Sequence, residues 1–138
     1  MTNKRWKASK TAVYNLNYHV IFCPKYRRPV LLNEVEIRLR ELLMEKAHDL
    51  DIKLKELEIM PDHVHLFVQA PPTLAPHYLI GQLKGYSSRI LRQEFAELRS
   101  RLPTLWTRSY YVESVGHSSV GHISEETVTQ YIQDQKGK

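Results

Sequence analysis

The chain has 138 residues, with 20 Lys and Arg against 15 Asp and Glu, a formal net charge of +5 with histidine neutral. At that length a single domain can bury a core without staples, and 42% hydrophobic with 25% charged residues excludes a disordered chain. Cys23 is the only cysteine, which excludes an internal disulfide framework and a multi-cysteine zinc site.

From Val13 to Cys23 the chain alternates, with Tyr14, Leu16, Tyr18, Val20 and Phe22 on one face and Asn15, Asn17 and His19 on the other, the mark of a half-buried strand. Asn33 and Glu36 are spaced as a capping box, and Val35, Leu39, Leu42, Leu43 and Leu50 then recur at helical spacing. Ile52 to Met60 reads as a second strand whose alternation slips between Leu54 and Leu57, the signature of a bulge. Pro61-Asp62 makes a tight turn into a third strand, His63 to Ala70. After Pro76 a long helix is expected to run to about Leu98, with Leu79, Leu83, Tyr86, Ile90 and Leu91 as its apolar stripe. Ser109 to Val115 reads as a fourth strand. Ser124 then opens a last helix, with Glu125 and Glu126 in the first turn and Ile123 and Val128 spaced as a hydrophobic staple. The order β-α-β-β-α-β-α predicts an α+β, ferredoxin-like (split βαβ) antiparallel sheet with helices on one face, plus a C-terminal helix.

Three groups of residues could carry chemistry. In Asp62-His63-Val64-His65 the two imidazoles lie two apart on a strand and point the same way, so they can share a metal ion with positions left open for water or substrate. The ordinary alternative is two histidines on the polar face of a strand. Tyr131 and Gln135 lie four apart on one face of the last helix, where the alternative is an amphipathic helix packing Val128, Tyr131 and Ile132 on the sheet. Basic residues interleave with aromatics in Lys25-Tyr26-Arg27-Arg28, recur at Lys84, Arg89 and Arg92, and continue through Arg101, Trp106 and Arg108. That mixture suits single-stranded nucleic acid, whose backbone takes cations and whose bases stack on rings, although a solvated helix face explains Lys84, Arg89 and Arg92 equally well. His19, on the strand's polar face, and His117 and His122, flanking a polar loop, are open to roles as extra ligands or phosphate contacts, and the favoured reading gives them none.

Taken together, Tyr18–Pro29, Met60–Val68, Leu79–Gly85, Trp106–Gly116 and Tyr131–Gln135 resemble the TnpA-type, single-tyrosine HUH transposases of small insertion sequences, including the REP-associated tyrosine transposases. The resemblance spans nearly the whole chain, as one domain whose ferredoxin-like core covers about 12–116 and whose tether and tyrosine helix cover about 117–138. It implies that His63 and His65 are metal ligands, Gln135 the third ligand and Tyr131 the nucleophile. It implies Mg²⁺ or Mn²⁺, although imidazoles intrinsically favour zinc, copper or nickel. The implied reaction cuts and rejoins single-stranded DNA at hairpin-bearing element ends through a 5′-phosphotyrosine, with no nucleotide cofactor. It also implies a homodimer in which one subunit's tyrosine helix serves the other's histidine pair.

Competing expectations are a non-mobilising single-strand nuclease with the same residues, a non-catalytic ferredoxin-like nucleic-acid module, and a small zinc hydrolase that needs a stronger third ligand. No apolar run approaches the ~18 residues of a membrane span. The basic start Met1–Lys7 lacks the apolar stretch of a secretory signal, so a cytoplasmic location is expected.

Overall fold

The computed structural model describes residues 6–8, 13–115 and 125–138. The expected cap at Ser124, the staple residue Ile123, His117, His122 and the tether lie outside them. A two-residue pair, β1 (Lys7–Ala8) with β2 (Val13–Tyr14), stands apart from a four-stranded antiparallel sheet of β3 (Leu16–Phe22), β4 (Lys53–Met60), β5 (His63–Ala70) and β6 (Tyr111–Val115) in the order β4-β5-β3-β6. Helices α1 (Asn33–Asp49), α2 (Pro76–Glu94), α3 (Ala96–Arg101) and α4 (Glu125–Asp134) complete the chain. This is the split βαβ, ferredoxin-like arrangement with an added C-terminal helix.

The alternation read from the sequence sorts the two faces of the sheet. Val20 and Phe22 of β3 with Val64, Leu66 and Val68 of β5 pack against Leu39, Leu42 and Leu43 of α1 and Leu79, Leu83 and Leu91 of α2. Asn17, His19 and Ile21 occupy the opposite face beside Gln69, Phe67 and His65, their register partners on β5. The bulge falls where the alternation slips, with a register shift between Leu54 and Glu56. Pro61-Asp62 closes a two-residue hairpin, since Met60 pairs with His63.

Four local expectations need correction. The first strand breaks at Asn15, because Val13–Tyr14 pairs with Lys7–Ala8 instead of continuing the main sheet. Asn33 does not cap α1: it adopts φ +52, and the first helical amides of Val35 and Glu36 bond the Leu32 carbonyl instead. The long helix ends at Glu94, since Phe95 leaves helical geometry (φ −121, ψ 95) before α3 begins. The fourth strand starts at Tyr111 instead of Ser109, which leaves Thr107–Ser109 as a non-strand segment alongside the end of β3. No helix among the described residues is long and apolar enough to cross a membrane.

Candidate active site

Strand β5 brings His63 and His65 to the face of the sheet opposite α1 and α2, as their spacing requires. Each ring is held by a neighbour. His63 Nδ1 lies 3.0 Å from Asp62 Oδ1, and because a carboxylate only accepts, the ring nitrogen donates. The other oxygen of Asp62 meets Arg27 Nε at 3.4 Å. His65 Nε2 lies 3.0 Å from Nδ1 of His19, while its own Nδ1 is 3.8 Å from Glu58. His19 is fully buried, stacked between His65 and Phe67 with ring centroids 5.1 and 4.8 Å away. Burial pushes the His65 pKa below its ordinary value, with Glu58 and Glu56 pulling in the opposite direction. A neutral imidazole is the form that binds a cation.

Helix α4 lies over the same face, where the Tyr131 ring packs on that of Tyr111 with centroids 6.0 Å apart. Its docking is organised by Ser109. The Ser109 hydroxyl donates to Gln135 Oε1 at 2.8 Å and lies 3.2 Å from the Tyr131 hydroxyl, while Gln135 Nε2 donates to the Tyr131 carbonyl at 3.3 Å. Gln135 is only 4% exposed, so its amide oxygen depends on that serine. Burial pushes the Tyr131 phenol up to about 12, against the lowering effect of the Ser109 bond. Past Asp134 the chain turns through Gly137 at φ +86, a conformation glycine adopts without a Cβ penalty, and the Lys138 carbonyl accepts the Tyr26 amide at 2.8 Å.

The two halves are adjacent but separate. Extending the β3–β5 register by one residue past Phe22 and Val64 places Cys23 opposite His63, and the Thr107 amide bonds the Cys23 carbonyl at 3.0 Å on the other side. His63 and the Ser109 segment are therefore about two strand spacings apart, roughly 10 Å. Among the described residues, the polar side-chain contacts of Tyr131 and Gln135 run to the Thr107–Ser109 segment and within α4, and not to His63 or His65. Burial raises the Cys23 thiol to about 12.

His63 and His65 would offer a divalent cation two imidazoles and leave its other positions open, while Gln135 is held at Ser109, away from them. Among the described residues no three His, Cys, Asp or Glu side chains could hold a metal ion, so a third protein ligand must be of another type or come from outside them. Gln135 is of that other type, and its carbonyl oxygen keeps a second lone pair beyond the one Ser109 uses.

The basic residues divide. Lys84 points inward, donating to the carbonyls of Thr107 (2.7 Å) and Ser109 (3.0 Å), and burial lowers its pKa to about 8. Arg92 caps the short α3 by donating to the carbonyls of Leu98 and Leu102 at 3.3 and 2.9 Å. Arg27 is taken up by Asp62. Arg28, Arg89 and Arg108 are exposed, Arg89 over the Tyr86 ring, and Lys25 lies over the Tyr26 ring at 5.2 Å. Trp106, read as part of the basic and aromatic stretch, is instead a core residue, edge-on to Phe22 and donating to Ser87 at 3.1 Å. Sequence reasoning set His19 aside and missed Ser109. For His19 the signal was its place on the same sheet face as the histidine pair. For Ser109 no local pattern existed.

Residues 12–135 match the family model described as "Transposase IS200 like". Over 134 residues the chain is 34% identical to the ISDra2 transposase TnpA of Deinococcus radiodurans, covering 96% of this chain and 92% of that protein. It is 30% identical over 127 residues to the transposase for insertion sequence element IS200 of Salmonella typhimurium, covering 91% and 83%. A crystal structure of a candidate transposase from Deinococcus radiodurans R1 superposes with TM-score 0.82 at 34% identity, covering 96% of this chain and 99% of that one. A REP-associated tyrosine transposase bound to a REP hairpin shares the fold at TM-score 0.53 and 11% identity, over 91% of this chain and 67% of that one.

Proposed function

This chain belongs to the family of IS200-like transposases, and on that premise we propose that it cleaves and rejoins single-stranded DNA with Tyr131 as nucleophile. The observation that carries the reading is the docking of α4, which lays Tyr131 and Gln135 on the sheet face that bears His63 and His65.

In the reaction the Tyr131 oxygen attacks the scissile phosphorus, the bond from phosphorus to the 3′ oxygen breaks, and the products are a 5′-phosphotyrosine and a free 3′-hydroxyl. The ester linkage is conserved, so a second 3′-hydroxyl can reverse the step and rejoin strands without a nucleotide cofactor. With its pKa near 12 the phenol carries its proton at neutral pH, and that proton leaves as the new bond forms. Ser109 orients the phenol oxygen without being basic enough to take the proton. Mg²⁺ or Mn²⁺ held by His63, His65 and Gln135 would supply charge to offset that developing on the phosphate.

The partner is single-stranded DNA carrying hairpins at the ends of an element. The exposed Arg28, Arg89 and Arg108, with Lys25 and Tyr26, supply cations and a ring for it. Two copies form a dimer in which the tyrosine helix of one serves the histidines of the other. The separation of the Ser109-held helix from the histidine pair supports this, because the helix must move or exchange to bring Gln135 to the cation.

The test is a denaturing gel of protein mixed with oligonucleotides from the DNA flanking its gene, with Mg²⁺ or EDTA. A metal-dependent covalent adduct that disappears in Tyr131→Phe is expected. Tight single-strand binding with no adduct under any divalent cation would replace the reading with a non-catalytic binding module.

A further inference from the structure

We infer that Asp62, gripped by Arg27, is a positioning residue that fixes the tautomer of His63 and so presents its Nε2 lone pair to a cation. The part concerning the cation rests on the function proposed above.

Asp62 bridges two partners, one on each carboxylate oxygen: His63 Nδ1 at 3.0 Å and Arg27 Nε at 3.4 Å. A neutral imidazole carries one proton. With that proton on Nδ1 and directed at the carboxylate, the lone pair resides on Nε2. A carboxylate behind a ligating histidine fixes the ring's tautomer and raises its basicity as a ligand. His65 has no comparable carboxylate bond, since Glu58 is 3.8 Å away and mostly exposed.

The grip is built into the backbone. Tyr26 (φ +60) and Arg27 (φ +52) are consecutive non-glycine residues in the left-handed region, a conformation side chains avoid and structures keep only where the surroundings impose it. The surroundings here do so. The amides of Lys25, Tyr26 and Arg27 bond the carbonyls of Leu105, Lys138 and Pro24 at 2.7, 2.8 and 2.8 Å. The Leu31 amide bonds the Pro61 carbonyl at 3.0 Å, tying the segment after Arg28 to the hairpin turn that carries Asp62. The turn thus spends strain where it delivers the Arg27 side chain to Asp62.

The test uses the full chain without metal. Long-range ¹H–¹⁵N correlation spectra, with the ring assigned by His63→Ala, should show His63 as the Nδ1–H tautomer in the wild type and as a mixture in Asp62→Ala. Titration with Mn²⁺ alone, followed by electron paramagnetic resonance, should show affinity falling about 10- to 100-fold in Asp62→Ala. Asp62→Asn, which keeps an accepting oxygen, should fall less, and it serves if the alanine variant does not fold. An unchanged His63 tautomer with unchanged Mn²⁺ affinity in both variants would overturn the inference, since a merely structural Asp62 would move the unfolding midpoint and neither of these readings. Failure of the wild type to bind Mn²⁺ would refute the cation site, while the tautomer still decides the role of Asp62.

Discussion

Ser109→Ala removes the hydroxyl on which the docking of α4 turns. It deletes the 2.8 Å bond to Gln135 Oε1 and the 3.2 Å contact with the Tyr131 hydroxyl, and leaves a buried amide oxygen without its donor. A neutral hydrogen bond contributes about 0.5–1.5 kcal/mol net, and an orphaned buried acceptor costs about 1–3 kcal/mol. These losses overlap, so about 2–3 kcal/mol is expected, roughly 30- to 150-fold in the equilibrium between docked and undocked helix. Native-state hydrogen exchange reads this directly: amides of α4 should exchange faster by that factor, while those of Val64–Val68 in the central strand β5 keep wild-type protection. Unchanged α4 protection would mean that the Tyr131–Tyr111 ring contact, the Thr107 contact with the Tyr131 hydroxyl and the Lys138–Tyr26 bond suffice to hold the helix, and that the serine is incidental.

Three further outcomes follow from the same geometry. Lys84→Met should lower the urea midpoint by an amount equivalent to about 1 kcal/mol, since it strips a half-buried cation from the Thr107 and Ser109 carbonyls; an unaltered midpoint would refute that structural role. Because the Tyr131 phenol holds its proton more tightly folded (about 12) than unfolded (10.0), its contribution to stability is complete below pH 10 and lost as the pH rises towards 12. Spectrophotometric titration of the wild type against Tyr131→Phe should accordingly show one tyrosine ionising late, and a difference titrating near pH 10 would contradict the burial argument. Cys23, fully buried with its thiol raised to about 12, should resist a disulfide reagent until the protein unfolds; fast labelling of the native protein would show that this strand end opens.

The parts of the molecule readable in the sequence are those governed by short-range periodicity. Alternation alone put His63 and His65 on one face and Val64, Leu66 and Val68 on the other, and its slip located the bulge at Leu54–Glu56. The four-residue spacing of Tyr131 and Gln135 likewise survives folding, with both side chains reaching the same serine. What periodicity could not report is how a polar side chain spends its donors. Lys84 and Arg92 look like a solvated basic stripe because helical spacing records direction and not destination, and their destinations are carbonyls of segments 6 to 25 residues downstream. Phe95 breaks the long helix in a window with neither glycine nor proline, and Asn33 has the composition of a cap without its geometry. Trp106 misled for the opposite reason: its aromatic ring suits a nucleobase, but tertiary packing gave it Phe22.

The strained turn at Tyr26 and Arg27 also has a consequence for communication. On one side its Arg27 guanidinium reaches the carboxylate behind His63, and on the other its Tyr26 amide binds the last carbonyl of the segment that follows the tyrosine helix. One piece of backbone is therefore a shared fastening for both halves of the site, and free-energy linkage between them runs in both directions. If α4 lets go of Tyr26, the turn loses one of the bonds that impose its conformation, and the grip on His63 slackens. Equally, whatever tightens His63 against Asp62 steadies the turn to which the helix is tied. The histidine pair and the Ser109-held helix, with His63 and the Ser109 segment roughly 10 Å apart, are in this sense one cooperative unit.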